Sequence, residues 1–411
     1  MDVSVETAHS AARSYRRWQG VPLNDGPAPS LPRAVALHVG HAVDPMHVVH
    51  VVRRYGPVGG MERYVWETTR ALAARGAIVE VVCEALHAPP PEGIAVHQVG
   101  EIAPRPRWLS LLRFSRRVAD WLAAHPGEPS DPVRTAPRLV HSHERLGVHH
   151  VTTFHGPPFA TIRDRGWWRR VSLRVAAQLW LERRELCGPQ VRAVVPNSPM
   201  IRDQLERWFP CIGDRMVTPI MPAVTAGPMR IARAVPADGG VIGFVGQEWK
   251  RKGLDIALDV VAALKVRRPG LSVLVIGPDP AEVRDRVAAA GVRAECPGWV
   301  DSASYFPRMD LLLHPARSEP YGMAVGEAMA ARVPVVISDR CGIAGVVSTD
   351  AGCVLSLGAD VQAWAQACEQ QLGREHPPAG FVRSWDTVAA EHEAVYQQVL
   401  RVMAGAGAQD R

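Results

Sequence analysis

No apolar run in this 411-residue chain approaches the roughly 18–20 residues that a membrane-spanning helix needs. The opening stretch, MDVSVETAHSAARSYRR, has no apolar centre, so it does not read as a signal peptide. Seven cysteines, Cys83, Cys187, Cys211, Cys296, Cys341, Cys353 and Cys368, include no C-x-x-C pair and are odd in number. Neither a disulfide framework nor a zinc site is expected, and a reducing, cytoplasmic setting fits. No repeat recurs at a period of about 20–50 residues. The glycine turn GPVGGMER is not a G-x-G-x-x-G, so it carries no nicotinamide fingerprint. No D-x-D signature stands out as a metal site.

What is present is ordinary globular material, 47% hydrophobic and 21% charged. The length favours two domains, because single cores stop growing near about 250–300 residues. The net charge of +6 and pI of about 9.1 suit acidic partners such as nucleotide phosphates, nucleic acid or an anionic membrane face. Short apolar runs alternate with helical patterns. HVVHVV (47–52) reads as a strand, MERYVWETTRALAARG as a helix closing on Gly76, and AIVEVVC as the next strand. RLVHSH, HHVTTFHG and VRAVVPNS read as further strands, with Ser198 near a helix start. A second series begins at GGVIGFVG (239–246) and runs through LSVLVIG, DLLLHPA, VPVVISD and AGCVLSL. Between them, residues 218–240 are rich in Pro, Gly and Ala and read as a linker. Strand–helix alternation predicts two α/β domains with parallel sheets and ligands at the strands' carboxyl ends, in a shared cleft. The expected divisions are a mobile extension over 1–45, a first domain over 46–222, a second over 223–380, and a terminal helix and tail over 381–411.

The stretch HPARSEPYGMAVGEAMAARVPVV (314–336) sets two acids, Glu319 and Glu327, eight positions apart around the start of a helix near Tyr321–Gly322. The first free amides of that helix and its dipole make an anion site, and Gly322 lets a phosphate approach the backbone. Carboxylates there would repel a phosphate, so they make sense facing uncharged parts of the same ligand: sugar hydroxyls for Glu319, ribose hydroxyls for Glu327. Either acid alone also reads as a helix cap or a buried paired glutamate. A second signal is GFVGQEWKRKGLD, whose strand ends at Gly246 and is followed by Lys250, Arg251 and Lys252. Cations just past a strand end can neutralise a diphosphate, or can be a solvated turn. A third is the turn at Gly59–Gly60, where backbone can approach a ligand.

Together these residues resemble the retaining glycosyltransferases of family 4, which have two facing Rossmann-like domains in the GT-B architecture. The match covers roughly residues 46–403. The resemblance implies an E-x7-E pair at Glu319 and Glu327, a basic pair at Arg251 and Lys252, and an active-site histidine, His155, in TTFHG. It implies a base pocket along PGWVD with Trp299 and Val300, donor contacts from Tyr321, Gly322 and Met323, and a terminal helix crossing back to the first domain. Within the family the second domain is most similar to lipopolysaccharide core glucosyltransferases, which implies UDP-glucose as donor and a glycan or glycolipid acceptor. One departure is Gln247, where an arginine often stands; the phosphate role then falls to Arg251 and Lys252. The implied reaction keeps the anomeric configuration and needs no metal or other cofactor, the cations and helix start taking the developing charge. His143 and Glu144 in HSHERL are candidates for acceptor contacts. The segment 163–184, with seven arginines and Trp167, Trp168 and Trp180, reads either as a basic helix at the inner membrane surface or as a surface helix packed through Val171, Val175 and Leu179. No nucleic-acid motif accompanies it, so a nucleic-acid partner is not expected. The competing readings are an epimerase or phosphorylase of the same architecture, and a non-catalytic scaffold that binds nucleotide sugars.

Overall fold

The computed structural model describes residues 46–126, 138–164, 172–225 and 227–409, with side chains to residue 404. The expected extension over 1–45, and Trp167, Trp168 and Val171, lie outside the described residues.

The first half runs β1 (His47–Tyr55), α1 (Gly60–Ala74), β2 (Ile78–Leu86), β3 (Ile94–Gln98), α2 (Arg107–Ala124), β4 (Leu139–Ser142), β5 (Val151–Phe154), α3 (Leu173–Cys187), β6 (Ala193–Pro196) and α4 (Pro199–Trp208). The second half runs β7 (Gly239–Val245), α5 (Trp249–Lys252), α6 (Leu254–Lys265), β8 (Gly270–Ile276), α7 (Pro280–Ala289), β9 (Arg293–Gly298), β10 (Leu311–His314), α8 (Met323–Ala330), β11 (Val335–Ser338), β12 (Gly352–Leu355), α9 (Val361–Leu372) and α10 (Trp385–Gln409).

Each half is a six-stranded parallel sheet. The orders are β3-β2-β1-β4-β5-β6 and β12-β11-β10-β7-β8-β9, the same arrangement repeated. Chain direction across the sheet reverses between β1 and β4, and again between β7 and β10. Crevices open there at the strands' carboxyl ends. Central strands such as β4, β10 and β11 are buried at every position, and β10 and β11 accordingly read as apolar runs broken only at their last residue. Ser198, Asp279 and Asp360 cap the helices that follow them, accepting from Ile201, Ala281 and Ala363 amides. Among the described residues, no strand or helix lies between Arg215 and Gly239, in the expected linker. Helix α10 returns to the first sheet, where Val388, Ala389, Tyr396 and Val399 share a core with Val48, Val52, Val65 and Leu72.

Two features depart from the sequence reading. The edge strands β3 and β9 are largely uncovered, with mixed polarity, and so carry no apolar signal. Cys187 and Cys211 form a disulfide, contrary to the expectation that none is present. They lie 24 residues apart, and the intervening β6 and α4 fold back to bring their Cα atoms to 6.0 Å.

Candidate active site

At the end of β7 the backbone turns through Gly246 at φ 147°. A side chain there would collide with the Lys252 stem, so glycine lets Lys252 lie across the strand end. Its Nζ reaches Glu319 Oε2 at 3.0 Å. Arg251, beside it on α5, lies 3.4 Å from the same oxygen, donates to the Ser318 carbonyl, and holds Glu248 at 2.6 Å. Gln247 is exposed. The loop carrying Glu319 is pinned on both sides: its amide donates to the Arg340 carbonyl and its carbonyl accepts from Gly342, each at 2.9 Å. Burial opposes ionisation of Glu319, but Lys252, His314 and Arg251 outweigh it and hold the carboxyl well below the usual range. The expected sugar-facing acid is thus an ionised carboxylate neutralising the two cations.

Gly322, at φ 112°, is the N-cap of α8, and its left-handed turn aims the first amides of the helix at this cluster's side of the sheet. Met323 is partly exposed. The side chain of Tyr321, expected to contact the donor, is engaged inside the protein. Its ring is buried in the second core and its hydroxyl donates to the Pro222 carbonyl at 2.9 Å, which ties the linker down. One turn into α8, Glu327 meets Arg63 of α1 at 3.2 Å, an ion pair between the two halves. Burial raises the Glu327 pKa, with Arg63 and Lys252 opposing. Arg63, Thr225, Asp301, Ser302, Phe306 and Glu327 line one recess. Trp299 is 70% exposed and Val300 packs partly into the core, so the recess is walled by the residues just after them. Gly59 caps α1, and the Glu62 carboxylate, paired with Arg54, folds over it. Gly60 faces open space.

On the first sheet His155 follows β5, its carbonyl accepting from Asn197 at 3.2 Å. Its Nε2 lies 2.9 Å from His143 Nδ1, and His143 Nε2 lies 3.0 Å from His50 Nδ1. Both ring nitrogens of His143 are therefore engaged inside the protein, so its side chain stands behind His155 rather than facing an acceptor. His50 Nε2 is 3.5 Å from the Tyr396 hydroxyl, which is 2.6 Å from His141 Nδ1; His141 Nε2 is 2.8 Å from Thr153 Oγ1. Nearby, His392 Nε2 meets the Tyr64 hydroxyl at 2.7 Å. Burial lowers the pKa of His50, His155 and His392 to about 3, and holds His141 and His143 well below the usual value, so all are neutral near pH 7. His50, His141, His392 and Tyr396 are absent from the sequence reading. For His50 and His141 the signal is a histidine inside an apolar strand, in HVVHVV and LVHS, that the alternation does not need; His392 and Tyr396 lie on α10. Among the described residues, His50, His141 and His143 are the group whose nitrogens, within 4.8 Å of one another, come near enough to share a cation. Glu144, beside this cluster, accepts from the Arg53 amide at 3.3 Å, and burial pushes its carboxyl up to about 7 against the pull of Arg53.

Two family descriptions match in tandem: "Glycosyltransferase Family 4" over residues 58–218 and "Glycosyl transferases group 1" over residues 239–374. This chain belongs to the family 4 glycosyltransferases. The glycosyltransferase is 27% identical over 373 residues to the D-inositol 3-phosphate glycosyltransferase of Stackebrandtia nassauensis, covering 77% of this chain and 79% of that one. It is 27% identical over 411 residues to the protein of the same name from Jonesia denitrificans, covering 84% and 92%. Among solved structures, WaaG, a glycosyltransferase involved in lipopolysaccharide biosynthesis, superposes with a TM-score of 0.67 at 18% identity over 85% of this chain and 94% of that chain. Anabaena HepE in complex with UDP-glucose superposes at 0.58 with 15% identity over 88% and 100%. Those structures share the GT-B fold with this glycosyltransferase.

No helix among the described residues is long and apolar enough to cross a membrane. In α3, Val175 is buried and Leu179 packs on the core, while Leu173 and Trp180 are exposed. The Arg184 guanidinium lies 4.9 Å over the Trp180 ring.

Proposed function

We propose that this glycosyltransferase moves a glucosyl group from UDP-glucose to a hydroxyl of a glycan or glycolipid, keeping the anomeric configuration and using no metal. The observation that carries this reading is the meeting of Lys252, Arg251 and Glu319 at the carboxyl ends of β7 and β10, with Glu327 one helical turn beyond. A donor diphosphate would replace Glu319 as the partner of both cations. The released carboxylate would then accept hydrogen bonds from the sugar, each worth about 1.5–3 kcal/mol for a charged acceptor. Glu327 would exchange Arg63 for the ribose hydroxyls. As the C1–oxygen bond breaks, its electron pair moves onto the diphosphate, where Lys252, Arg251 and the first amides of α8 stabilise it. The acceptor oxygen bonds C1 on the same face, and its proton passes to the departing phosphate oxygen. UDP-glucose in the HepE complex supports the donor.

His155 and Glu144 stand at the acceptor side. Arg53, whose amide donates to Glu144, has its guanidinium already paired with Glu84, which favours a neutral polyol over a phosphate beside it. Exposed Leu173 and Trp180 beside Arg174 and Arg183 suit an acceptor presented at an anionic membrane surface, such as a lipopolysaccharide core. The test measures nucleotide release from UDP-glucose, UDP-galactose and GDP-mannose, each with a heptose-bearing core glycolipid or with D-inositol 3-phosphate. Release that depends on UDP-glucose and glycolipid, with an α-linked product by NMR, is the expected result. Release only with inositol phosphate would replace the acceptor, and tight UDP binding without turnover on any acceptor would favour a scaffold.

A further inference from the structure

The buried histidines form a directional chain, and that direction reaches the cleft. A neutral imidazole has one N–H donor and one bare acceptor nitrogen. In a row of neutral imidazoles, the protonation of one ring therefore dictates the next. The row here is His155, His143, His50, then the Tyr396 hydroxyl and His141, with neighbouring atoms 2.9, 3.0, 3.5 and 2.6 Å apart. Tyr396 has a single proton to donate. Phenol is the stronger donor and imidazole nitrogen the stronger acceptor, so the 2.6 Å contact is O–H to His141 Nδ1. His141 then carries its proton on Nε2 and donates to Thr153 Oγ1 at 2.8 Å. The Tyr396 oxygen is left to accept from His50 Nε2. His50 Nδ1 consequently accepts from His143 Nε2, and His143 Nδ1 accepts from His155 Nε2. His155 is left with a bare Nδ1, and that atom has no protein partner among the described residues, on a ring that is partly exposed.

We propose that Tyr396, His50 and His143 are positioning residues that fix the proton of His155 on Nε2, so that its Nδ1 meets the bound sugars as a hydrogen-bond acceptor for a hydroxyl. The chain crosses β1, β4, β5 and α10, so the returning helix α10 supplies the residue that sets the polarity of the row. Burial of His50, His143 and Tyr396 behind the partly exposed His155 keeps the row neutral and its direction single-valued. This inference rests on the reading of His155 as a sugar-facing residue.

The test uses the full chain with 15N-labelled histidine and two-bond nitrogen–proton correlation NMR, the His155 signals being assigned from a His155→Gln variant. Wild type should show His155 protonated on Nε2 alone. Tyr396→Phe, which keeps the ring and removes the hydroxyl, should shift His155 to a mixture of both tautomers. Its kcat should fall about tenfold with donor KM unchanged, the loss of one oriented hydrogen bond. His50→Gln is the second variant and should give the same shift if Tyr396→Phe fails to fold. A wild-type proton on Nδ1, or a His155 tautomer unmoved by both variants, would overturn the proposal. So would one equivalent of transition metal bound by wild type and lost in His50→Gln, since the rings would then be ligands. A tautomer that shifts as expected while His155→Gln keeps full activity would leave the relay standing and sink the sugar-facing role instead.

Discussion

Lowering the pH from about 7.5 to about 5.5 should weaken this fold through its buried imidazoles, by an amount that can be worked residue by residue. His392 on α10 is fully buried against Tyr64, and its pKa falls to about 3 because burial disfavours the charged ring. In the unfolded chain the same ring titrates near about 6.5. The folded state therefore binds fewer protons than the unfolded one over this range. Its stability is present above about pH 6.5 and is lost as the pH falls from there towards about 3. Between about pH 7.5 and 5.5 the unfolded ring's proton uptake is worth about 1.4 kcal/mol. His50 is shifted equally, and His141 and His143 in the same direction, so each of them adds to the loss in the same sense. Even one such ring is a sizeable part of a whole domain's stability of about 5–15 kcal/mol. Urea unfolding at both pH values, for wild type and for His392→Gln, isolates one ring, because glutamine can still accept from Tyr64. The variant should lose about 1.4 kcal/mol less than wild type on acidification. An identical loss in the two proteins would refute the reasoning, since His392 would then titrate alike in both states.

Two further outcomes are expected at the donor side. Gly246→Ala strains a backbone at φ 147° and puts a methyl group where the Lys252 stem runs, so UDP affinity should fall about tenfold or more, read by calorimetry; unchanged affinity would separate Lys252 from the diphosphate. Glu327→Gln should weaken UDP binding while Arg63→Met, which removes the ribose's internal competitor, should strengthen it by a few-fold, and equal weakening by both would mean that Arg63 itself contacts the nucleotide.

Much of the architecture was legible because it is written locally. Strand–helix alternation and the glycine preceding α8 act within a few residues of themselves, and each is where the sequence places it. The spacing of Glu319 and Glu327 likewise fixes one acid on the loop and the other a turn into the helix. The edge strands β3 and β9 escaped notice because a strand covered on one side needs no apolar pattern.

What the sequence determined by itself, then, is the repeated α/β framework and the identity of the acids and cations at its strand ends. Tertiary structure alone decided their partners. Lys252 faces Glu319 because β7 and β10 are neighbours in the sheet, and Arg63 faces Glu327 because α1 of one half meets α8 of the other. His50 lies beside His141 through the register of β1 on β4, Tyr396 joins them only because α10 returns to the first sheet, and Cys187 finds Cys211 only after β6 and α4 fold back. Local propensity specifies elements, but contacts between distant residues depend on sheet order and register, which arise when the apolar faces pack together.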